Sequence, residues 1–140
     1  MSSTLKRYRY RAYPTAGQAQ ASTRLFGCCR VVYNQYLEHR EKAYQAGLHH
    51  QISWNDTATA VTTVLKRQPG YTFLAEVSAV ALQQSAADAR RAYRNWFDSM
   101  SGKRNGPRVG KPRFKKRTSR QSARFTRAAK FKVRTEPGCK

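Results

Sequence analysis

Apolar and basic side chains alternate at the start of the chain. In residues 6–13 (KRYRYRAY), Arg7, Arg9 and Arg11 alternate with two tyrosines and an alanine. Residues two apart share a face of a β-strand, so this period of two gives one apolar face and one cationic face. Pro14 follows and ends the pattern. A first β-strand is therefore predicted over residues 4–13.

A helical stripe comes next, because apolar positions recur at intervals of three, four or seven residues. Its members are Phe26, Cys29, Tyr33, Leu37 and Tyr44. Thr15 and Gln18 have the spacing of a capping box, and Gly47 is placed to end the last turn. Gly27 interrupts the stripe, so the segment is predicted to form either one helix or two helices that meet at this glycine.

Two more helices complete a helical region over residues 14–101. Ser53 and Asp56 mark the start of the second helix, which Pro69 and Gly70 close. The third helix is predicted from residue 78, and the side chains that share its apolar side are Leu82, Ala86, Ala89, Tyr93, Trp96 and Met100. Residues 71–77 are predicted to form an irregular connection.

The composition changes after residue 101. Residues 102–122 are rich in Gly, Pro and basic residues, which predicts a basic loop. Short alternating pieces at residues 123–126 and 130–134 predict strands within residues 123–135, which would pair with residues 6–13, and residues 136–140 form a tail.

Positive charge is concentrated at the two ends of the chain. The net charge is +21 over 140 residues, and residues 103–140 contain 15 Lys or Arg against one acid. Residues 1–13 add four basic residues and no acid, whereas residues 14–102 hold nine basic residues and six acids. Clustered cations displace counterions from phosphates, so this distribution indicates a nucleic-acid-binding protein. The alternative is a solvated charge run that only maintains solubility.

Several cations spaced along a strand and a loop can follow a phosphate backbone without reading sequence. The best candidates for such contacts are Arg7, Arg9, Arg11, Arg113, Lys115, Lys116 and Arg117. On the third helix, Arg90, Arg91 and Arg94 lie mostly off the apolar side and join the candidate nucleic-acid contacts.

Other function classes lack their usual signals. No run of 18 apolar residues is present, so a membrane partner is not expected and the cytoplasm, with nucleoid association, is the expected location. The seven acids are scattered, which disfavours two-metal catalysis, and the His and Cys residues lack zinc-ligand spacing. We therefore expect no catalytic residue, metal or cofactor in these residues. The sequence indicates no particular oligomeric state.

Five ordered blocks resemble the N-terminal part of the TnpB/OrfB family of insertion-sequence proteins. They are YRYRAYPTAGQAQ, FGCCRVVYNQYLEHREKAYQAG, FLAEVSAVALQQSAADARRAYRNWF, GKPRFKKR and ARFT, and they cover nearly all of residues 6–131. Members of this family were first described as transposases with a helix-turn-helix region. They are understood as RNA-guided DNA endonucleases related to type V CRISPR effectors.

The resemblance implies an α+β fold. A bundle of three to four helices would be inserted into a partial, basic, wedge-like barrel of the oligonucleotide-binding type, formed by the N-terminal strand and the C-terminal strands. It also implies structured guide RNA and double-stranded DNA as partners. In the family, a RuvC-like nuclease domain and a zinc ribbon hold Mg²⁺ and Zn²⁺, and neither occurs in these residues. The ending RTEPGCK departs from the family pattern, and we expect a truncated copy without cleavage activity of its own.

Four residues gain candidate roles from the resemblance. Gln83 matches a position that approaches the motif beside the target, where a glutamine can read a base edge. Trp54 and Asn55 open the second helix toward the same side, and Thr126 matches a position near the nucleic acid. Core packing is the alternative for Trp54.

Two other functions stay open at this point. The chain could be a free-standing helix-turn-helix regulator of a mobile element, with its turn at Phe26–Gly27. It could also be a basic RNA-binding protein of the ribosomal type, which the C-terminal composition alone would permit.

Overall fold

The computed structural model describes residues 3–131, and its architecture in that range is helical. The long helix α1 spans Ala16–Gln45, the short helix α2 spans Trp54–Thr59, and α3 spans Ala79–Met100. Helix α2 continues as a π-helical turn over Ala60–Val64 and a 3₁₀ turn over Leu65–Arg67. Two further 3₁₀ turns cover Thr72–Glu76 and Arg127–Ala129. None of these helices could span a lipid bilayer.

The predicted capping residues start two of the three helices. The Gln18 amide donates to the Thr15 hydroxyl at 3.3 Å, and the Thr15 amide donates back to the Gln18 side chain at 2.9 Å. Ser53 and Asp56 form the same reciprocal pair at the start of α2. These bonds satisfy amides that have no partner within the helix, so the local sequence decides where each helix begins. After α1, Gly47 has a φ of +73°, a conformation that glycine adopts without strain.

The core forms where α1 and α3 pack side by side in the same direction. Small residues on α3 let the helices approach closely, and the Ser85 hydroxyl donates to the Cys29 carbonyl oxygen at 2.6 Å. Farther along, the Tyr93 hydroxyl donates to the Leu37 carbonyl oxygen at 3.4 Å. The α2 region and the 3₁₀ turn before α3 close this core with Val61, Leu65 and Leu74.

Gly27 does not break the first helix, so the structure selects one helix instead of two. A glycine inside a helix costs about 1 kcal/mol relative to alanine. The buried face that follows it, with Val32 and Tyr36 fully enclosed, contributes more than this. The helix-turn-helix alternative required a turn at Phe26–Gly27, and the structure has none there.

The predicted α+β class with a partial barrel is wrong, because residues 3–131 contain no strand. Tyr8 and Tyr10 are 72% and 86% exposed, so the apolar side of the alternating residues 6–13 is not packed against the helical core. A lone strand also has no partner for its amides and carbonyls. Residues 123–126 are not a strand either, and residues 132–134 of the second predicted strand lie outside the described range.

Candidate nucleic-acid interface

Residues 102–131, here called the basic segment, run back along α1 in the direction opposite to the helix. The segment contacts Glu41 through Lys111, Asn34 through Lys115 and Arg30 through Gln121. It contains twelve Lys or Arg residues and no acid. The predicted basic loop is therefore an ordered layer on the helical core.

Asn34 holds the middle of the basic segment with two hydrogen bonds. Its side-chain carbonyl accepts from the Lys115 amide at 2.8 Å, and its side-chain NH₂ donates to the Lys115 carbonyl oxygen at 3.0 Å. The side-chain amide thus pairs with the backbone as a neighbouring strand would. The Lys115 ammonium lies 4.3 Å from the centre of the Tyr33 ring, which adds a cation–π contact.

Arg124 joins the basic segment to α3. Its guanidinium donates to the Asp88 carboxylate at 2.7 Å and to the Gln84 side-chain oxygen at 2.9 Å. At the other end of the segment, Lys111 forms an ion pair with Glu41 at 2.8 Å, and this contact lowers the pKa of Glu41. The segment therefore bridges the two long helices.

Most cations of the basic segment face solvent. Arg113, Lys116 and Arg117 are exposed, and no ion pair involves them in the part of the chain that the structure describes. Only Lys111 and Arg124 are paired with a carboxylate among residues 102–131. Unpaired cations held by an anchored backbone are the groups that contact phosphates in nucleic-acid complexes.

A second polar surface, here called the helical face, consists of Asn55 at the start of α2 and the exposed side of α3. The Arg90 guanidinium donates to the Asn55 side-chain oxygen at 3.0 Å. Gln83, Arg91 and Arg94 are exposed on the same helix. Gln83, Arg90 and Arg94 recur at intervals of seven and four and so share the side of α3 that meets Asn55, whereas Arg91 lies on an adjoining side. The contact of all five with nucleic acid stays a prediction.

Trp54 serves mainly as a packing residue in this structure. Its ring centre lies 5.4 Å from that of Tyr93 and 6.2 Å from that of Phe97. On another side, the Arg40 guanidinium carbon lies 3.9 Å from the Trp54 ring centre. The packing alternative accounts for the ring, and its contact with nucleic acid stays a prediction.

Arg40 is a structural residue that the sequence reasoning missed. It is 7% exposed and faces no carboxylate among the described residues. Its guanidinium donates to the Ile52 carbonyl at 2.7 Å, the His49 carbonyl at 3.2 Å and the Thr57 hydroxyl at 3.2 Å. Arg40 thereby fixes the turn that precedes α2 and positions Asn55. A basic residue on the inward side of the α1 stripe was the available signal.

The two cationic ends of the chain are not brought together in the described residues. Arg7, Arg9 and Arg11 are exposed, and no hydrogen bond or ion pair joins residues 3–13 to the basic segment. Thr126 is half-buried and precedes the 3₁₀ turn at Arg127–Ala129. The predicted pairing of residues 6–13 with returning strands is therefore absent from the described residues, where the basic segment and the helical face carry the remaining candidate contacts.

Three of the acidic side chains form ion pairs, and the Cys29 thiol is buried. Glu38, Glu41 and Asp88 each pair with a cation, and residues 3–131 hold no group of three side chains suited to a metal ion. Burial raises the pKa of the Cys29 thiol to about 11, so this thiol stays protonated at neutral pH. A reactive thiolate is not expected there.

Comparison with known proteins adds independent information. Residues 1–49 match the family model for the helix-turn-helix domain of IS605-type OrfB proteins. A Streptomyces pristinaespiralis protein named "Putative RNA-guided DNA endonuclease" is 38% identical over 130 residues, which are 92% of this chain and 30% of that relative. InsQ of Escherichia coli K12, which carries the same description, is 28% identical over 127 residues, covering 91% of this chain and 29% of InsQ.

A relative from Mycobacterium tuberculosis with the same description is 32% identical over 122 residues, covering 79% of this chain and 26% of that protein. The chain thus spans less than a third of the length of the curated relatives that it matches.

Proposed function

Since the chain is similar to TnpB/OrfB-type proteins, as its sequence blocks predicted, we propose that it is a nucleic-acid-binding module of a transposon-encoded, RNA-guided DNA endonuclease. The module binds structured RNA through phosphates on the basic segment. It contacts double-stranded DNA through the helical face, with Gln83 reading a base edge and Arg90 and Arg94 contacting phosphates, while Arg91 contacts phosphates from the adjoining side of α3.

The basic segment is the observation that carries this proposal. Twelve cations with no acid lie on a backbone that Asn34, Arg30 and Asp88 hold in place. Because that backbone is already ordered, binding a polyanion costs less conformational entropy than ordering a free tail would. The exposed cations also face no competing carboxylate on their own segment.

We assign binding, and not strand cleavage, to these residues. A two-metal site needs several carboxylates that converge on one point. Glu38, Glu41 and Asp88 lie in separate ion pairs, and Asp56 caps α2. Cleavage is therefore assigned to parts of the relatives that lie beyond the matched length.

Salt dependence tests the proposal directly. Six to ten neutralised phosphates should give a slope of about −5 to −9 when log affinity for a hairpin RNA is plotted against log salt concentration. Replacing Arg113, Lys116 and Arg117 by Gln should make this slope shallower by about 2 to 3. Filter binding at several salt concentrations measures both quantities.

A matched variant controls for the loss of net charge. Replacing Arg24, Lys66 and Arg67 by Gln removes the same charge outside both surfaces. This variant should keep a slope close to that of the unchanged protein. A flat salt response in the unchanged protein, or equal slopes for the two triple variants, would contradict phosphate-led binding.

A further inference from the structure

An aromatic cavity of about 570 Å³ opens where α1 and α3 end and α2 begins. This volume lies within the range of small-molecule sites in proteins. The side chains that form most of its wall are Tyr44, His49, Trp54, Trp96, Phe97 and Met100. Its lining is mainly apolar and aromatic, and it has no role in the function described so far.

Several aromatic side chains of the cavity wall are not buried in the core. Tyr44 is 66% exposed and Phe97 is 41% exposed, although both lie on helices with well-packed buried faces. Trp96 and Phe97 stack with ring centres 5.1 Å apart and planes inclined by 29°. The buried Nδ1 atom of His49, also in the wall, has no hydrogen-bond partner. Exposed ring surface and one unpaired ring nitrogen are therefore available to a ligand in this cavity.

The cavity lies between the two cationic surfaces. Trp54 and Phe97 also line a smaller cleft of about 180 Å³ whose cations are Arg90 and Arg94 on the helical face. Lys111, which begins the part of the basic segment that contacts α1, lines the cavity itself. Cations of both surfaces therefore lie at the cavity or beside it, where they can hold the phosphates on either side of a base.

We propose that this cavity binds one unpaired nucleobase of the bound nucleic acid, stacked against Phe97 and Tyr44. The wall suits a nucleic acid, because Glu41, the acid of the wall, is paired with Lys111 and the wall keeps the positive charge of Arg40 beside the phosphates that flank a bound base. Stacking on aromatic rings accepts any base, since every base has a π-face. The inference rests on the proposed function, since the phosphates guide the strand to the cavity.

Base stacking can be measured with 2-aminopurine, whose fluorescence falls when the base stacks. A hairpin RNA with a single-stranded flank carries one 2-aminopurine at successive flank positions and is titrated with the full chain. We expect quenching at one or a few neighbouring positions. Phe97→Leu and Tyr44→Ala should remove the quenching and weaken binding about tenfold.

Phe73→Leu is the matched control, because Phe73 is 39% exposed and lies outside the cavity wall. It should leave quenching and affinity unchanged. Phe97→Leu keeps most of the apolar volume, and if circular dichroism shows that it misfolds, the more exposed Tyr44→Ala decides the result.

The remaining outcomes separate the two proposals. If the chain binds RNA with a steep salt dependence but quenching is unchanged in both cavity variants, the cavity inference is overturned and the proposed function stands. If the chain binds no RNA, the proposed function fails, and the cavity inference fails with it. A dimer in light scattering that Phe97→Leu dissociates would identify the cavity as a contact between copies and overturn the inference.

Discussion

Two adjacent glutamines on α3 have different environments. Gln83 is exposed and makes no side-chain hydrogen bond in the described structure, whereas Gln84 accepts a bond from Arg124. Consecutive helical residues are about 100° apart around the axis, so one residue faces the helical face and the other faces the basic segment. The resemblance gave a candidate role to Gln83, and the contact of Gln84 with Arg124 is known only from the structure.

Substitution of these glutamines should therefore give two kinds of defect. Gln83→Ala should change the preference among DNA duplexes by about 1–3 kcal/mol at one position and leave RNA affinity nearly unchanged. Gln84→Ala should weaken binding to all sequences evenly, because it removes one of the two contacts through which Arg124 holds the basic segment against α3. Competition binding against a set of duplexes measures both effects. Equal losses of Gln83→Ala for every duplex would argue against base reading.

Arg40 is a buried polar residue whose replacement should cost much stability. Arg40→Met leaves the carbonyls of Ile52 and His49 without a donor, and a loss of about 2–4 kcal/mol in unfolding free energy is expected. Arg40→Lys should lose less, because it keeps one donor group. Urea unfolding followed by circular dichroism measures the change. The exposed Arg91→Met should stay within about 0.5 kcal/mol of the unchanged protein, and equal midpoints for the two Met variants would refute the role of Arg40.

At the scale of elements, the anchoring of the basic segment to α1 depends on a small number of polar side chains. Asn34 bonds both backbone groups of Lys115, and Gln121 contacts Arg30 on the same helix. Apolar burial adds little, since Phe114 and Phe125 are 61% and 41% exposed. The segment should therefore detach locally before the helical core unfolds.

Asn34→Leu should expose the basic segment to proteolysis. The variant loses both hydrogen bonds to Lys115, and the cost of local detachment should fall by about 1–3 kcal/mol. Limited trypsin digestion, which cuts after Lys and Arg, should proceed several-fold faster within residues 111–117. Gln35→Leu, on the next position of α1, serves as the control. Equal cleavage rates in the two variants would show that Asn34 does not hold the segment.

At the scale of the whole molecule, folding and charge are located in different parts of the chain. The core cluster and the residues packed on it end at Trp96, whereas twelve cations follow in the basic segment. We therefore expect the helical body to fold without the segment, whereas the segment depends on contacts with the body for its course.

Removal of residues 103–140 should thus separate binding from folding. We expect RNA affinity to fall by at least about a hundredfold at moderate salt, because most phosphate contacts are lost. The melting temperature should change by only a few degrees, since no core residue is removed. Binding titrations and thermal unfolding on the same sample give both values. A large loss of melting temperature together with intact RNA affinity would reverse the assignment of the two parts.

The sequence by itself determined the features that depend on near neighbours. Thr15 and Ser53 were identified as helix starts because a capping box involves residues only three apart. The inward positions Leu82, Ala86, Ala89 and Tyr93 followed from helical periodicity. The excess charge of residues 103–140 is a property of composition and needs no fold.

Only the tertiary structure decided the features that depend on distant partners. The alternation in residues 6–13 indicated a strand, but a strand needs a second chain segment to pair with, and none is present in the described residues. The contact of Asn34 with Lys115 spans 81 positions, and that of Ser85 with Cys29 spans 56. Local periodicity carries no information about such distances. The packing of α1 against α3 therefore decided which polar side chains were free to hold the basic segment.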